Sequence, residues 1–103
     1  MIYIKDIIDK TKPIFMNRSI KLAYVFGSYA RGEETDCSDI DILIDYGSNT
    51  MSMFELLYLK YDLQDALQKK VDLVCMDALG EDYFSKKIQQ EKICIFKNDR
   101  WVQ

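Results

Sequence analysis

The segment that most constrains the fold is DIDILIDY, residues 39–46, in which acidic and aliphatic side chains alternate. Because successive side chains on a β-strand point to opposite faces, this alternation predicts a strand with Asp39, Asp41 and Leu43 on one face. The opposite face is purely aliphatic and consists of Ile40, Ile42 and Ile44. Such a face must be buried against a core, so it fixes the strand and holds the two carboxylates side by side.

Strand and helix patterns alternate along the rest of the chain. Further apolar runs predict strands at residues 20–26, 71–76 and 92–96. Helical periodicity predicts helices over residues 2–17, 52–69 and 81–90, the first of them kinked or divided at Pro13. We therefore expect an α/β (α+β) fold, a mixed four-stranded sheet with helices mainly on one face, organised as a single domain over residues 1–103.

Composition and charge exclude several classes of function. The chain has no histidine, which excludes histidine general bases, Ser-His and Cys-His nucleophile systems, and histidine metal sites. Its formal net charge of −3 argues against direct nucleic-acid binding, which needs a concentrated basic surface. No stretch approaches the roughly 20 apolar residues that span a bilayer, and the N-terminus does not resemble a signal peptide. We expect a cytoplasmic protein without membrane association.

The acidic residues indicate a metal site. Two carboxylates held side by side repel each other, so one takes up a proton unless a cation is present. Asp72 interrupts the apolar run VDLVC, where a charge is costly unless it is paired or bound to a metal. If that strand lies beside residues 39–46, three carboxylates converge, with Asp72 as a ligand or as a base. Oxygen ligands of this kind suit Mg²⁺. The alternative is that Asp39 and Asp41 lie on the exposed face of an edge strand.

A Gly-Ser pair lies where the first predicted strand ends. We expect a short helix to follow, capped by Ser28 and ended by Gly32. Gly27 lets the backbone approach a ligand closely, and backbone N–H groups together with the Ser28 hydroxyl can then hold a phosphate. Arg31, one helical turn further on, can pair with phosphate or with the acids, the alternative being an ordinary surface arginine.

These residues together form a compound motif. The segment GSYARGEETDCSDIDILID, residues 27–45, resembles the signature of the polymerase-beta-type nucleotidyltransferases, in which ten residues separate Gly-Ser from Asp-x-Asp. The matches at residues 30–32 and at Ser38 indicate the small group called minimal nucleotidyltransferases. The resemblance implies the polymerase-beta-like nucleotidyltransferase fold, ATP as substrate and two Mg²⁺ ions as cofactors. The implied nucleotide-binding residues are Gly27, Ser28, Arg31 and Ser38, and the implied catalytic metal ligands are Asp39, Asp41 and Asp72.

The resemblance also implies a partner. Many minimal nucleotidyltransferases are similar to antitoxins that transfer AMP to a hydroxyl of an all-helical ribonuclease toxin of the HEPN family. Larger relatives hold the acceptor on a second domain, so we expect this chain to take its acceptor from a partner or from a second copy of itself. Two alternatives remain: a non-catalytic antitoxin that occludes its toxin, and a nucleotidyltransferase acting on a small molecule such as an antibiotic.

Seven aromatic side chains occupy apolar positions of predicted strands and helices, and we expect core packing for most of them. They are Tyr24, Phe26, Phe54, Tyr58, Tyr61, Tyr83 and Phe84. The helix over residues 52–69 nevertheless carries more apolar surface than one buried face needs, which suits a partner surface. Base preference, acceptor residue, the number of nucleotides transferred, oligomeric state and the aromatic that stacks on the base stay open.

Overall fold

A computed structural model of the protein describes residues 2–47 and 51–98. Helices and strands alternate along it as the sequence predicts. The helices are α1 (Ile4–Asn17), α2 (Ser28–Arg31), α3 (Met53–Leu67) and α4 (Tyr83–Glu91), with a 3₁₀ turn at Met76–Ala78. The strands are β1 (Leu22–Phe26), β2 (Ile40–Asp45), β3 (Val71–Cys75) and β4 (Ile93–Lys97).

The four strands form one mixed sheet in the order β3-β2-β1-β4. Strand β1 runs antiparallel to both β2 and β4, whereas β2 and β3 are parallel and are joined by the crossover through α3. In this register Asp41 lies opposite Phe26 of β1 on one side and opposite Asp72 of β3 on the other. The alternative of an exposed edge strand for residues 39–46 is therefore wrong, since β2 is an inner strand.

The sheet is covered by helices on both faces, with the larger share on one. The three isoleucines of β2 are fully buried in the main core, together with Phe15 of α1 and with Leu59 and Leu63 of α3. On the opposite face Leu43 packs with Phe26 and with Ile88 of α4 in a smaller cluster. The two faces predicted for β2 are thus confirmed: the isoleucines lie on one face, and Asp41 lies with Leu43 on the other, toward α4.

We expected the first helix to be kinked or divided at Pro13, and the division into two helices is wrong. One helix runs from Ile4 to Asn17 with Pro13 inside it. Proline lacks the N–H that would bond to the carbonyl of Asp9. Both residues are exposed, so water can hydrogen-bond that carbonyl and the helix continues. No helix in the described part of the chain has the length and apolar character needed to cross a membrane.

The expectation that most of the aromatic side chains are buried is wrong. Phe26 is buried and Tyr24 is half-buried, but the other five are between 54% and 81% exposed: Phe54, Tyr58, Tyr61, Tyr83 and Phe84. The reason lies in helix geometry, because α3 buries a stripe formed by Leu59, Leu63 and Leu67, one residue per turn. Rings on the remaining faces of the helix meet no covering layer, and the excess apolar surface expected on this helix is confirmed.

Candidate active site

The acidic residues are brought to one edge of the β2–β3 pair. Asp41 belongs to the inner strand β2 and is half-buried, and Asp72 lies beside it in the parallel register with an exposed side chain. Asp39 is half-buried and directly precedes β2. Because β2 and β3 are parallel neighbours, the two aspartates on them are held by backbone hydrogen bonding on both strands.

The local electrostatics of this edge are unfavourable for ionised carboxylates. Burial raises the pKa of Asp41 to about 6, and a hydrogen bond with Asp72 and the negative charges of Asp72 and Asp39 act in the same direction. Arg31 opposes the shift with its positive charge. The Asp41–Asp72 pair is therefore a place where a proton or a cation is stabilised.

The carboxylate oxygens of Asp39, Asp41 and Asp72 are ligands that suit Mg²⁺, but the three side chains are not arranged around a single point. Within residues 2–47 and 51–98, no group of three or more histidine, cysteine or acidic residues is arranged to hold a metal ion. The expected convergence of all three aspartates is thus absent, and only Asp41 and Asp72 are directly paired. The set offers only oxygen ligands, which Mg²⁺ prefers, and water and phosphate oxygens normally fill its remaining positions.

The turn between β1 and α2 is packed against Asp41. Gly27 is buried and has φ +72° and ψ −146°, a conformation that is essentially restricted to glycine. A side chain at this position would collide with the Asp41 carboxylate, whose Cγ would lie 3.1 Å from the added Cβ. Gly27, and not Ser28 as expected, is the N-cap residue of α2, while Gly32 ends the helix as predicted. Among the described residues, none hydrogen-bonds to the Ser28 hydroxyl, which leaves it able to contact a ligand.

A cavity of about 370 Å³ opens beside this turn. Its walls come from the end of β1, the turn, Arg31, Asp41 and one face of α4. The lining residues are Phe26, Gly27, Ser28, Arg31, Asp41, Tyr83, Phe84, Lys87, Ile88 and Glu91. A site of this size with a few convergent polar groups falls within the usual range for small-ligand pockets.

Arg31 is paired with acids, one of the two roles foreseen for it. Its Nε donates to Glu33 at 2.7 Å, and one terminal nitrogen donates to both carboxylate oxygens of Glu91 at 3.1 Å each. The second terminal nitrogen has no hydrogen-bond partner within the described ranges. The guanidinium therefore lies at the cavity and has one terminal nitrogen that can still donate to a ligand. The alternative of an ordinary surface arginine does not describe this position.

Ser38 lies outside the cavity, in contrast to the other nucleotide-binding residues named from the motif. Its hydroxyl accepts a hydrogen bond from the Thr35 N–H at 2.9 Å, and its own N–H donates to the Thr35 carbonyl at 3.0 Å. These bonds close the turn that leads into Asp39. Ser38 thus shapes the approach to β2, and Asp39 and Asp72 likewise border the site without lining the cavity.

One wall of the cavity was missed by sequence reasoning. Tyr83, Lys87 and Glu91 follow one another at intervals of four residues, so they share one face of α4. That spacing is readable in the sequence, but the predicted helix ended at residue 90, one short of Glu91. Nothing local indicates that this face would be turned toward the Gly27–Ser28 turn, because the placement depends on how α4 crosses the sheet.

Comparison with known proteins agrees with the motif. The sequence profile of the family described as polymerase beta, nucleotidyltransferase matches residues 9–101. A protein of Methanocaldococcus jannaschii, provisionally named a protein adenylyltransferase, is 41% identical over 93 residues, which cover 89% of this chain and 94% of that protein.

Solved structures share the fold. A crystal structure described as a toxin-antitoxin with AMP-PNP superposes with a TM-score of 0.74 at 23% identity, covering 90% of this chain and 75% of the other. A structure of a tri-AMPylated Shewanella oneidensis HEPN toxin in complex with MNT antitoxin gives 0.69 at 20% identity, covering 94% and 75%. These structures agree in fold, and the profile match together with the M. jannaschii relative shows that the chain belongs to the polymerase-beta-type nucleotidyltransferase family.

Proposed function

We propose that this nucleotidyltransferase is a Mg²⁺-dependent protein adenylyltransferase that acts as an antitoxin by transferring AMP from ATP to a hydroxyl of a HEPN-family toxin. The observation that carries the proposal is the position of Asp41, which lies opposite Asp72 in the β2–β3 register, packs against Gly27 and lines the cavity. The name of the M. jannaschii relative supports protein as the acceptor. The partners in the neighbouring structures support ATP and a HEPN toxin. ATP as donor assigns the reaction to the cytoplasm.

The nucleotide is proposed to lie in the cavity with its triphosphate at the turn. The free Ser28 hydroxyl and the unused nitrogen of Arg31 donate to phosphate oxygens, and Lys87 adds a positive charge from α4. Asp39, Asp41 and Asp72 would hold the metal. Bound Mg²⁺ would neutralise phosphate charge and stabilise the attacking and leaving oxygens. The raised pKa of Asp41 shows that its ionised form is unfavourable in the absence of a cation, and a bound cation would stabilise that form.

The transfer itself is an in-line displacement. The acceptor hydroxyl oxygen forms a bond to the α-phosphorus, the bond to the β-phosphate oxygen breaks, and pyrophosphate leaves with the displaced electron pair. The hydroxyl proton needs an acceptor, and since the chain has no histidine we assign this role to a carboxylate of the acidic site. Asp72 is the more exposed member of the pair and is open to an incoming acceptor, so it acts as the base or completes the ligand set.

Two exposed rings at the far end of the α4 wall offer a surface for the nucleobase. Tyr83 is 81% and Phe84 is 63% exposed, and both line the cavity. Unfilled aromatic faces beside a phosphate site suit stacking on a base, which every base can accept. We assign the base to this pair, which leaves the base preference to be measured.

The experiment that tests the proposal is a transfer assay with α-labelled ATP, Mg²⁺ and, as the candidate acceptor, the purified product of the adjacent gene. We expect label on the partner with wild-type protein, and none with the Asp39→Asn/Asp41→Asn double variant or after chelation of Mg²⁺. Mass spectrometry of the labelled partner identifies the modified residue and counts the AMP groups. Unlabelled partner in the presence of a stable complex would contradict the proposal.

A non-catalytic antitoxin is the second candidate, and the exposed apolar surface of α3 favours it. Met53, Phe54, Leu57, Tyr58 and Tyr61 are between 40% and 81% exposed on this one helix. A patch of this kind on a soluble domain commonly marks a protein interface. Toxin neutralisation that survives the double aspartate variant would assign the effect to occlusion by this surface. Loss of neutralisation with retained complex formation would assign it to catalysis.

A further inference from the structure

The last residue of α4 is bound at the centre of the candidate site. One carboxylate oxygen of Glu91, Oε1, accepts a hydrogen bond from the Gly27 N–H at 3.0 Å. The same carboxylate accepts from Arg31 at 3.1 Å through each of its oxygens. Only 15% of the Glu91 side chain is exposed, whereas 36% of the Arg31 side chain is, so water is largely excluded from the Glu91 end of these bonds but not from the Arg31 end.

Helix stability does not explain an acid at this position. The C-terminus of a helix carries a partial negative charge, so a carboxylate in the last turn is unfavourable unless a cation compensates it. Here the compensation comes from Arg31, and the Gly27 N–H adds a second donor from a different element. The contacts of Glu91 therefore connect α4 to the Gly27–Ser28 turn and to α2, the elements that line the cavity.

Glu91 occupies two of the donors near the turn and leaves two others available to a phosphate. It occupies the Gly27 N–H and one terminal nitrogen of Arg31. For the Ser28 hydroxyl and the second terminal nitrogen of Arg31, the described residues supply no hydrogen-bond partner. A carboxylate that blocked the phosphate site would occupy those groups as well. The observed contacts are therefore those of a residue that positions the turn and Arg31, and not of one that blocks the phosphate site.

We propose that Glu91 is a positioning residue for nucleotide binding. It holds the Gly27–Ser28 turn and the Arg31 guanidinium in a single arrangement, so that a triphosphate meets donors that are already ordered. This inference rests on the proposed function for the identity of the ligand. Ordering the donors beforehand removes an entropic cost from binding, so Glu91 acts on nucleotide affinity through Arg31 and does not take part in the chemical step.

The test is a double-mutant cycle. Glu91→Gln keeps an oxygen that can accept from the Gly27 N–H but removes the charge that holds Arg31. We expect it to weaken binding of a non-hydrolysable ATP analogue about tenfold, the effect of one charge-assisted hydrogen bond. KM for ATP should rise to match while kcat changes little. In an Arg31→Ala background the same substitution should have almost no further effect, because the route through Arg31 is already lost.

Two carboxylates serve as matched controls. Glu33 also pairs with Arg31 but is 64% exposed and does not contact Gly27, so Glu33→Gln should weaken binding less than Glu91→Gln. Glu81, just before α4, is 98% exposed, and Glu81→Gln should leave analogue binding unchanged. Equal effects of Glu91→Gln in both Arg31 backgrounds would show a merely structural role and overturn the inference. Tighter binding by Glu91→Gln would show a competing carboxylate and also overturn it.

A second readout separates this inference from the proposed function. The ¹⁵N relaxation of the Arg31 terminal N–H group that donates to Glu91 reports its mobility without nucleotide or transfer. We expect a rigid side chain in the wild type and in Glu81→Gln, and a mobile one in Glu91→Gln. A rigid Arg31 in Glu91→Gln would overturn the role of Glu91 even if transfer occurs. Failure of the wild type to bind the ATP analogue would instead overturn the proposed function.

Discussion

The Asp41 carboxylate fills the space that a side chain at Gly27 would need. This contact joins the turn after β1 to the start of β2, and it makes the glycine of the Gly-Ser pair a steric requirement of the acidic site. The backbone of Gly27 adds a second requirement, since its φ of +72° lies in the region that favours glycine. The two halves of the motif therefore depend on each other in the fold.

Gly27→Ala should damage both stability and activity. The added Cβ collides with the Asp41 carboxylate, and overpacking of this kind costs about 1–3 kcal/mol beyond the backbone strain. Because the collision displaces Asp41, transfer activity should fall in protein that still folds. Urea unfolding and the transfer assay at a temperature below the unfolding transition measure the two effects.

Gly32→Ala is the matched control. Gly32 has the same φ of +72°, but a Cβ there would meet nothing within 4 Å. It should therefore lose only the strain energy, about 1 kcal/mol, and keep its activity. If Gly27→Ala and Gly32→Ala had equal effects on activity, the contact between Gly27 and Asp41 would not be needed for function.

Asp41→Asn should stabilise the metal-free protein in a pH-dependent way. The pKa of Asp41 is about 6 in the folded protein against an ordinary value of 3.8. Between these values the folded state binds more protons than the unfolded state, so this residue makes the free energy of unfolding decrease as the pH rises through that window. The gain from asparagine should be largest above about pH 6 and should shrink toward about pH 4. Since the group is only half-buried, we expect about 1 kcal/mol.

Urea unfolding in the presence of chelator at several pH values measures this effect. Asp9→Asn, on the exposed surface of α1, provides the control for the loss of one negative charge. Added Mg²⁺ should reverse the order, because the wild type gains stability from a bound ion that the asparagine variant binds less well. A gain that does not depend on pH would contradict the assignment to Asp41 ionisation.

The period-two pattern of β2 was enough to predict the environment of the acids. It placed Asp41 on the face of Leu43, opposite the three isoleucines, and the structure has this arrangement. The pairing with Asp72 was expected only on the condition that residues 71–76 lie beside residues 39–46, and the parallel β2–β3 pair meets that condition. The two faces of β2 were predictable because they depend on local periodicity, whereas the order of strands in a sheet is a tertiary property.

The contribution of α4 was not predictable by the same means. Its cavity-lining residues are separated from Gly27 by more than 50 positions in the sequence. Their meeting depends on which face of the sheet the helix covers and at what angle, which are tertiary properties. Exposure of the rings was misjudged for a related reason, since hydrophobicity alone does not show which face of a helix is covered.

Phe84→Ala should weaken nucleotide binding without affecting the fold. The ring is 63% exposed, so little core packing is lost. Loss of stacking on the base should weaken binding of the ATP analogue by about tenfold, within the 1–3 kcal/mol typical of one stacked base. Binding of inorganic tripolyphosphate, which has no base, should be unchanged. Calorimetry measures both, with Tyr3→Ala, equally exposed at 64% but outside the cavity, as the control.

Asp72→Asn should reduce kcat by about 100-fold, the low end of the contribution of a positioned acid or base. Asp72 is directly opposite Asp41 in the register, so loss of its charge also leaves one ligand fewer, and we expect a higher Mg²⁺ concentration for half-maximal transfer. Asp77→Asn is the control, because Asp77 is exposed just after β3 and, among the described residues, its carboxylate accepts a hydrogen bond only from the Tyr46 hydroxyl, at 2.6 Å. An unchanged Mg²⁺ requirement with loss of the acidic limb of the pH–rate profile would show that Asp72 acts as the base alone. Unchanged kcat would remove Asp72 from the site and leave Asp39 and Asp41 as the proposed metal ligands.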